Sequence, residues 1–138
     1  MPLPPPPDAT MAQNRVETAI VREINHERRT HGLRALRVDR RLSRVADRHS
    51  RTMLRLDALT HAPALRARMS GAARRRYSET LAWVPGTGGA VGVVAMWMRS
   101  SPHRAVVLDG TLRRIGVGRV PGVMAGSGGW AVTAEFSS

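Results

Sequence analysis

The stretch Trp97-Met98-Arg99-Ser100-Ser101-Pro102-His103-Arg104 is where the chain declares its architecture. Behind it, residues 90–99 carry Val94, Trp97 and Met98 at helical spacing, which predicts a helix with those three turned inward. Ser101 followed by Pro102 reads as an N-cap and a proline at the first helical position, so a second, short helix is expected to start at once. His103 falls in its first turn. There the positive end of the helix disfavours an imidazolium and leaves a neutral ring suited to a metal.

Upstream, residues 77–83 read as a strand leading into the Pro-Gly-Thr-Gly-Gly turn at 85–89. Glu79 lies inside that apolar strand, where a carboxylate is costly unless paired or coordinating. His61 precedes Pro63 in a segment without core character, and the basic run 62–76 fits a loop or a short helix equally well. Asp39 is placed to cap a helix whose apolar face is Leu42, Val45, Ala46, His49, Met53 and Leu56. On that face His49 reads as a hydrogen-bonded core histidine. Further back, Thr10 to Gln13 fits a capping box, and Val16, Ile20 and Ile24 repeat every four residues. A helix over 11–31 is expected, stopped by Gly32 in a left-handed conformation, with a short connection through Leu33 and Leu36.

Downstream, 114–120 and 130–136 alternate like two strands of a hairpin, joined by a long, mobile Gly-rich loop at 121–129. Gly116-Val117-Gly118 lacks the following helix of a phosphate loop and reads instead as close packing against the strand. Glu135 alternates with Phe136 and is expected on an exposed face, although it is the only obvious second carboxylate for a site. Helices first, strands later and helices between them predict an α/β sandwich of the α+β kind with an antiparallel sheet. Residues 1–10, with Pro4 to Pro7 in a row, read as a polyproline tail, and 11–138 as one domain.

Composition narrows the function classes. The chain has 138 residues, 42% of them hydrophobic, enough for one packed core. Cysteine is absent, which excludes disulfides, a zinc finger and a cysteine nucleophile. No apolar run reaches membrane-span length and none has the flanks of a signal peptide; if the protein is exported, its signal lies outside this chain or was lost by a misassigned start. The net charge is +12 and all 22 basic residues are arginine. Such a field attracts polyanions: nucleic acid, acidic wall polymers or anionic lipid. Arg40, Arg44, Arg48, Arg51 and Arg55 form a stripe at helical spacing that reads as a solvated face. Three tryptophans, one tyrosine and one phenylalanine supply few platforms for stacking bases.

These motifs, in this order, resemble the CAP superfamily: cysteine-rich secretory proteins, antigen 5 and pathogenesis-related proteins, also called SCP-like domains. The run from Ile24 to Asp39 resembles the bacterial pattern N-x-x-R-x-x-x-G-L-x-x-L-x-x-D, beginning at Asn25 and Arg28. Ser78 to Ala82 resembles the Gly-Glu-Asn-Ile-Ala strand, and Trp97 to Arg104 the W-M-x-S-x-x-H-R motif. The resemblance implies a three-layer α-β-α sandwich with a central, mainly antiparallel sheet and a cleft lined by His61, Glu79 and His103. In some members such a cleft holds zinc or another divalent cation. The fuller family site has a second glutamate on the helix before the tryptophan, and residues 90–99 contain no acid. Thr80 and Ser78 also replace the usual asparagine and glycine, which weakens any claim of catalysis.

The expectation drawn from all this is an extracellular or cell-surface binding module of the bacterial, cysteine-free type. It is expected to be monomeric and without a transmembrane segment. Its candidate metal ligands are His61, Glu79 and His103, and its partners anionic lipid, a wall polymer or another protein. The alternatives are a metal-assisted, peptidase-like hydrolase using the same three residues, and a nonspecific nucleic-acid binder acting through arginine charge, with no specific nucleic acid expected.

Overall fold

The first helix, α1 (Ala9–Thr30), buries Ile20 and Ile24 completely and ends where Gly32 turns to φ +72°. A computed structural model gives the structure of residues 9–62, 75–86 and 88–138. The tail up to Asp8 and most of the 62–76 segment lie outside the described residues. Thr10 is already inside α1, so the helix begins before the capping box that the sequence suggests.

The connection after α1 contains a two-residue strand, β1 (Arg37–Val38), where only a loop was expected. It pairs in parallel with β3 (Arg114–Met124) through Arg37↔Arg114 and Val38↔Ile115. Asn25 holds this entry: its side-chain NH2 donates to Leu36 O, and its oxygen accepts from Leu36 N at 2.7 Å. Arg28 is fully buried, and its guanidinium donates to the carbonyls of Arg34, Val107, Asp109 and Leu112. One side chain thereby ties three separate segments together. These are the Asn and Arg of the N-x-x-R motif.

Asp39 caps α2 (Arg40–Leu56) by accepting from the amides of Arg41 and Leu42. The buried face is Leu42, Ala46, His49, Ser50 and Met53. Ser50 belongs to it and Leu56, 62% exposed, does not, because the helix runs past the edge of its packing surface there. Then follow β2 (Tyr77–Pro85), α3 (Ala90–Arg99) and α4 (Ser101–Val107). The cap position of α4 is Ser100 rather than Ser101, and its hydroxyl makes no capping bond.

β3 and β4 (Ser127–Ser137) pair without interruption from Arg114↔Ser137 to Met124↔Ser127. The expected long loop is a two-residue turn. Ala125 at φ +50° and Gly126 at +79° supply the left-handed pair that a tight hairpin needs. The sheet order is β1-β3-β4-β2, antiparallel except for β1.

Helices cover both faces. On one side Ile20, Ile24, Trp97, Val107, Leu112 and Phe136 form the larger core. On the other, Met53, Leu81, Met124 and Ala131 form a smaller one beneath α2. Gly116 and Gly118 face α2, and a Cβ on either would lie within about 2.4 Å of helix backbone at Leu42–Ser43 or Ala46–Asp47. The glycines let α2 rest directly on β3, as the close-packing reading of Gly-x-Gly expects. The result is the three-layer α-β-α sandwich.

Candidate functional site: a histidine–glutamate cleft

Strand pairing positions the carboxylate. Glu79 on β2 stands opposite Glu135 on β4, which stands opposite Gly116 on β3. Period-two alternation turns both carboxyls toward the α2 layer. The segment after α2 then brings His61 over Glu79. His61 Nδ1–H donates to Glu79 Oε1 at 2.8 Å, and the Ala62 amide donates to the same oxygen at 3.0 Å. The side chain of Glu79 is 8% exposed and that of His61 is 69% exposed. A nearly buried carboxylate therefore fixes the tautomer of an open imidazole, leaving Nε2 toward solvent.

His49 approaches from α2. Its Nε2–H donates to Thr60 O at 2.5 Å and lies 3.9 Å from Glu79 Oε1. This is the hydrogen-bonded core histidine the sequence suggests, and it also braces the chain that carries His61.

His103 is half-buried at the start of α4. Its proton affinity is lowered, first by burial and then by the nearness of His61. The ring is neutral at pH 7, as expected, but desolvation and a neighbouring imidazole do most of this work. His61, Glu79 and His103 are thus brought to one region.

Glu135 corrects the sequence reading. It is fully buried, because β4 is an inner strand and α2 covers the face to which residue 135 points. Alternation alone does not imply exposure when both faces of a sheet are covered. As carboxylates, Glu79 Oε2 and both oxygens of Glu135 would lack any donor. One proton between the two acids resolves this. Burial, reinforced by the adjacent Glu79, pushes Glu135 up to about 11, so at pH 7 it is a neutral acid able to donate. Burial alone would raise Glu79 as well. Hydrogen bonds from the Glu135 carboxyl, the Ala62 amide and His61, with His49 beyond, outweigh it and hold Glu79 below the ordinary carboxylate range. The charge is confined to the acid nearer the cleft.

Among the described residues, no three His, Asp or Glu side chains are gathered tightly enough to hold a metal ion. The region holds two imidazoles, His61 and His103, with the Glu79 carboxylate behind the first. Sequence reasoning noted Glu135 as the one obvious second carboxylate for a site but placed it on an exposed face, outside the cluster. Its signal was an acid inside an otherwise apolar last strand, the same cue that singled out Glu79.

Comparison with known proteins agrees with this fold. The chain shares 19% identity with an outer surface protein of Borrelia burgdorferi at a TM-score of 0.74, covering 90% of this chain and 92% of that one. An extracellular protein containing an SCP domain from Bacillus anthracis aligns at 25% identity and TM-score 0.73, over 98% of this chain and 44% of its own. A cysteine-rich secretory protein from Staphylococcus aureus aligns at 16% identity and TM-score 0.71, over 96% and 40% respectively. The chain thus spans nearly all of the first and less than half of the other two. No curated protein matches it. The profile of the CAP, or cysteine-rich secretory protein, family matches residues 21–132. The chain belongs to the CAP family, in its cysteine-free form.

Proposed function

We propose that this is an extracellular or cell-surface binding module whose ligand site is the cleft of His61, Glu79 and His103. The observation that carries the reading is the His61–Glu79 pair. An exposed imidazole is locked in one tautomer by a nearly buried carboxylate, with a neutral second imidazole nearby. A divalent cation such as zinc would be held by His61 and His103, with Glu79 orienting His61 from behind. Bound there, it would supply a positive centre for an acidic ligand. Its partners are anionic: lipid headgroups or an acidic wall polymer, consistent with a net charge of +12. The relatives described as outer surface, extracellular and secretory proteins support the same location. Among the described residues no helix is long and apolar enough to cross a membrane.

A hydrolase would need a base at the mouth of the cleft. Glu135 is the second carboxyl, but it is sealed beneath α2 and neutral, so no substrate proton can reach it. Glu79 is already engaged by His61 and Ala62. This favours binding over turnover. Calorimetric titration with zinc tests the site: saturable binding is expected, and it should vanish in the His61→Ala/His103→Ala double variant. Binding that survives the double variant would overturn the assignment, as would no saturable binding by the unaltered protein.

A further inference from the structure

The arginine stripe of α2, a solvated face by sequence, borders a groove. About 550 Å³ lies between the last turns of α2 and β3, with Arg48, Arg51 and Arg55 along one side and Leu54, Val120 and Pro121 lining the rest. Three guanidiniums share one wall because residues 48, 51 and 55 fall within one narrow sector of a helix with 3.6 residues per turn. Arg44 extends the same row one turn back, so the row from 44 to 55 is about 16 Å long.

The charges of this wall are largely uncommitted. Arg51 is paired with Asp47 at 3.0 Å, and Arg55 donates to the hydroxyl of Thr52. Arg48 has no charged partner among the described residues. Asp47 is the one acid in the α2 sequence, against six arginines, Arg40, Arg41, Arg44, Arg48, Arg51 and Arg55. A row of like charges on one helix face opposes folding, and it stands only because it is exposed to water and counterions.

We propose that this groove is a second binding site, for a linear, non-nucleic phosphate-ester polymer lying along α2 with successive phosphates on Arg44, Arg48 and Arg55. Guanidinium groups take phosphate oxygens two at a time, and a row of them, Arg44 one turn from Arg48 and Arg48 two turns from Arg55, suits a repeating anion rather than a single one. Two observations decide between polyanions. Among the described residues no aromatic side chain lines the groove, so nucleic-acid bases would find nothing to stack on. Two exposed apolar residues at this end of the domain that a bilayer could take do not flank the arginines. Leu56 lies about a quarter-turn off the row, and Val123 alternates onto the sheet face away from α2. The proposal rests on the reading of the domain as a polyanion-binding module but not on the histidine cleft.

The test is fluorescence anisotropy with labelled inorganic polyphosphate, using the whole chain. Arg48→Gln/Arg55→Gln should lower affinity at least tenfold. Arg22→Gln/Arg29→Gln removes the same charge from the exposed side of α1 and should lower it less than threefold. Affinity should fall with salt with a log–log slope of about −2, as for three neutralised phosphates. Equal losses in the two pairs would reduce the groove to bulk charge attraction and overturn the proposal. Tighter binding of single-stranded DNA of equal charge would overturn it too, as would preferential binding to phosphatidylglycerol vesicles abolished by Leu56→Asp/Val123→Asp. Polymer binding lost in His61→Ala/His103→Ala but kept in Arg48→Gln/Arg55→Gln would place the polymer in the cleft, sinking the groove while sparing the module. All altered side chains except the half-buried His103 are solvent-facing, and unchanged melting temperatures confirm that binding alone is being read.

Discussion

Glu79 and Glu135 are cross-strand partners on β2 and β4, yet only one of them is ionised. Two carboxylates in such a position repel, and Glu135 has no water to disperse its charge. The proton that Glu135 keeps serves Glu79 as a hydrogen-bond donor. Glu79 stays anionic at the cleft and holds His61 through Nδ1.

This arrangement sets a pH dependence. Glu135 is raised in the folded state from 4.5 to about 11, so above pH 4.5 the folded chain binds more protons than the unfolded one. Its contribution to stability is fully present below 4.5 and is lost as pH rises toward 11. Glu135→Gln keeps a donor and cannot ionise. It should be more stable than the parent at pH 8, with the gain growing by up to about 1.4 kcal/mol per pH unit. Urea unfolding at pH 5, 7 and 9 reads this, and a gain independent of pH would refute it. His103 runs the other way: its lowered value means the unfolded chain binds more protons, so that contribution is lost as pH falls below 6.5.

Glu79→Gln should uncouple His61. The amide offers one oxygen where the carboxylate offered a charge to both Nδ1–H and the Ala62 amide. Zinc affinity should fall by about 10- to 100-fold, the usual effect of losing a carboxylate behind a ligating histidine. Calorimetry against the parent measures it, and unchanged affinity would show that Glu79 does not orient the site.

Gly118→Ala should be strongly destabilising. Its Cβ would sit 2.2 Å from Asp47 N and 2.4 Å from the Ala46 carbonyl carbon, both backbone that cannot rotate away. A loss of about 3 kcal/mol is expected, with α2 lifted from the sheet. A melting temperature within a degree or two of the parent would contradict the contact.

Arg28→Met keeps length and apolar bulk but removes every donor from four carbonyl groups. Buried acceptors left without partners cost more than the hydrogen bonds are worth on average, so about 3 kcal/mol or more should be lost. Chemical denaturation checks this, and a neutral result would mean that water replaces the guanidinium.

Local signals carried much of the architecture. Helix spacing, the Asp39 cap, the Gly32 stop and the length of residues 90–99 are decided within a turn or two of chain, and they are legible because capping and amphipathic periodicity act over that range. Glu79 was visible as a carboxylate that is costly in an apolar strand, whereas His61 was joined to it mainly by the family motifs, which also set His103 in order. The hairpin turn was less legible. Residues 121–129 contain four glycines, and only pairing with a register running to Met124↔Ser127 shows that they are strand.

What the chain determined by itself was therefore most of the elements, the absence of cysteine chemistry, the arginine charge and, through the family motifs, three candidate cleft residues. What only the tertiary structure decided was the surroundings of each group. Glu135 became a buried, protonated acid because β4 lies inside the sheet and α2 closes over it. Leu56 was left in water because the helix outruns its support. The arginine stripe acquired a groove because β3 passes alongside it. The physical reason is common to all three: burial and electrostatic neighbours depend on segments distant in sequence, and periodicity says which side a residue faces without saying what stands there.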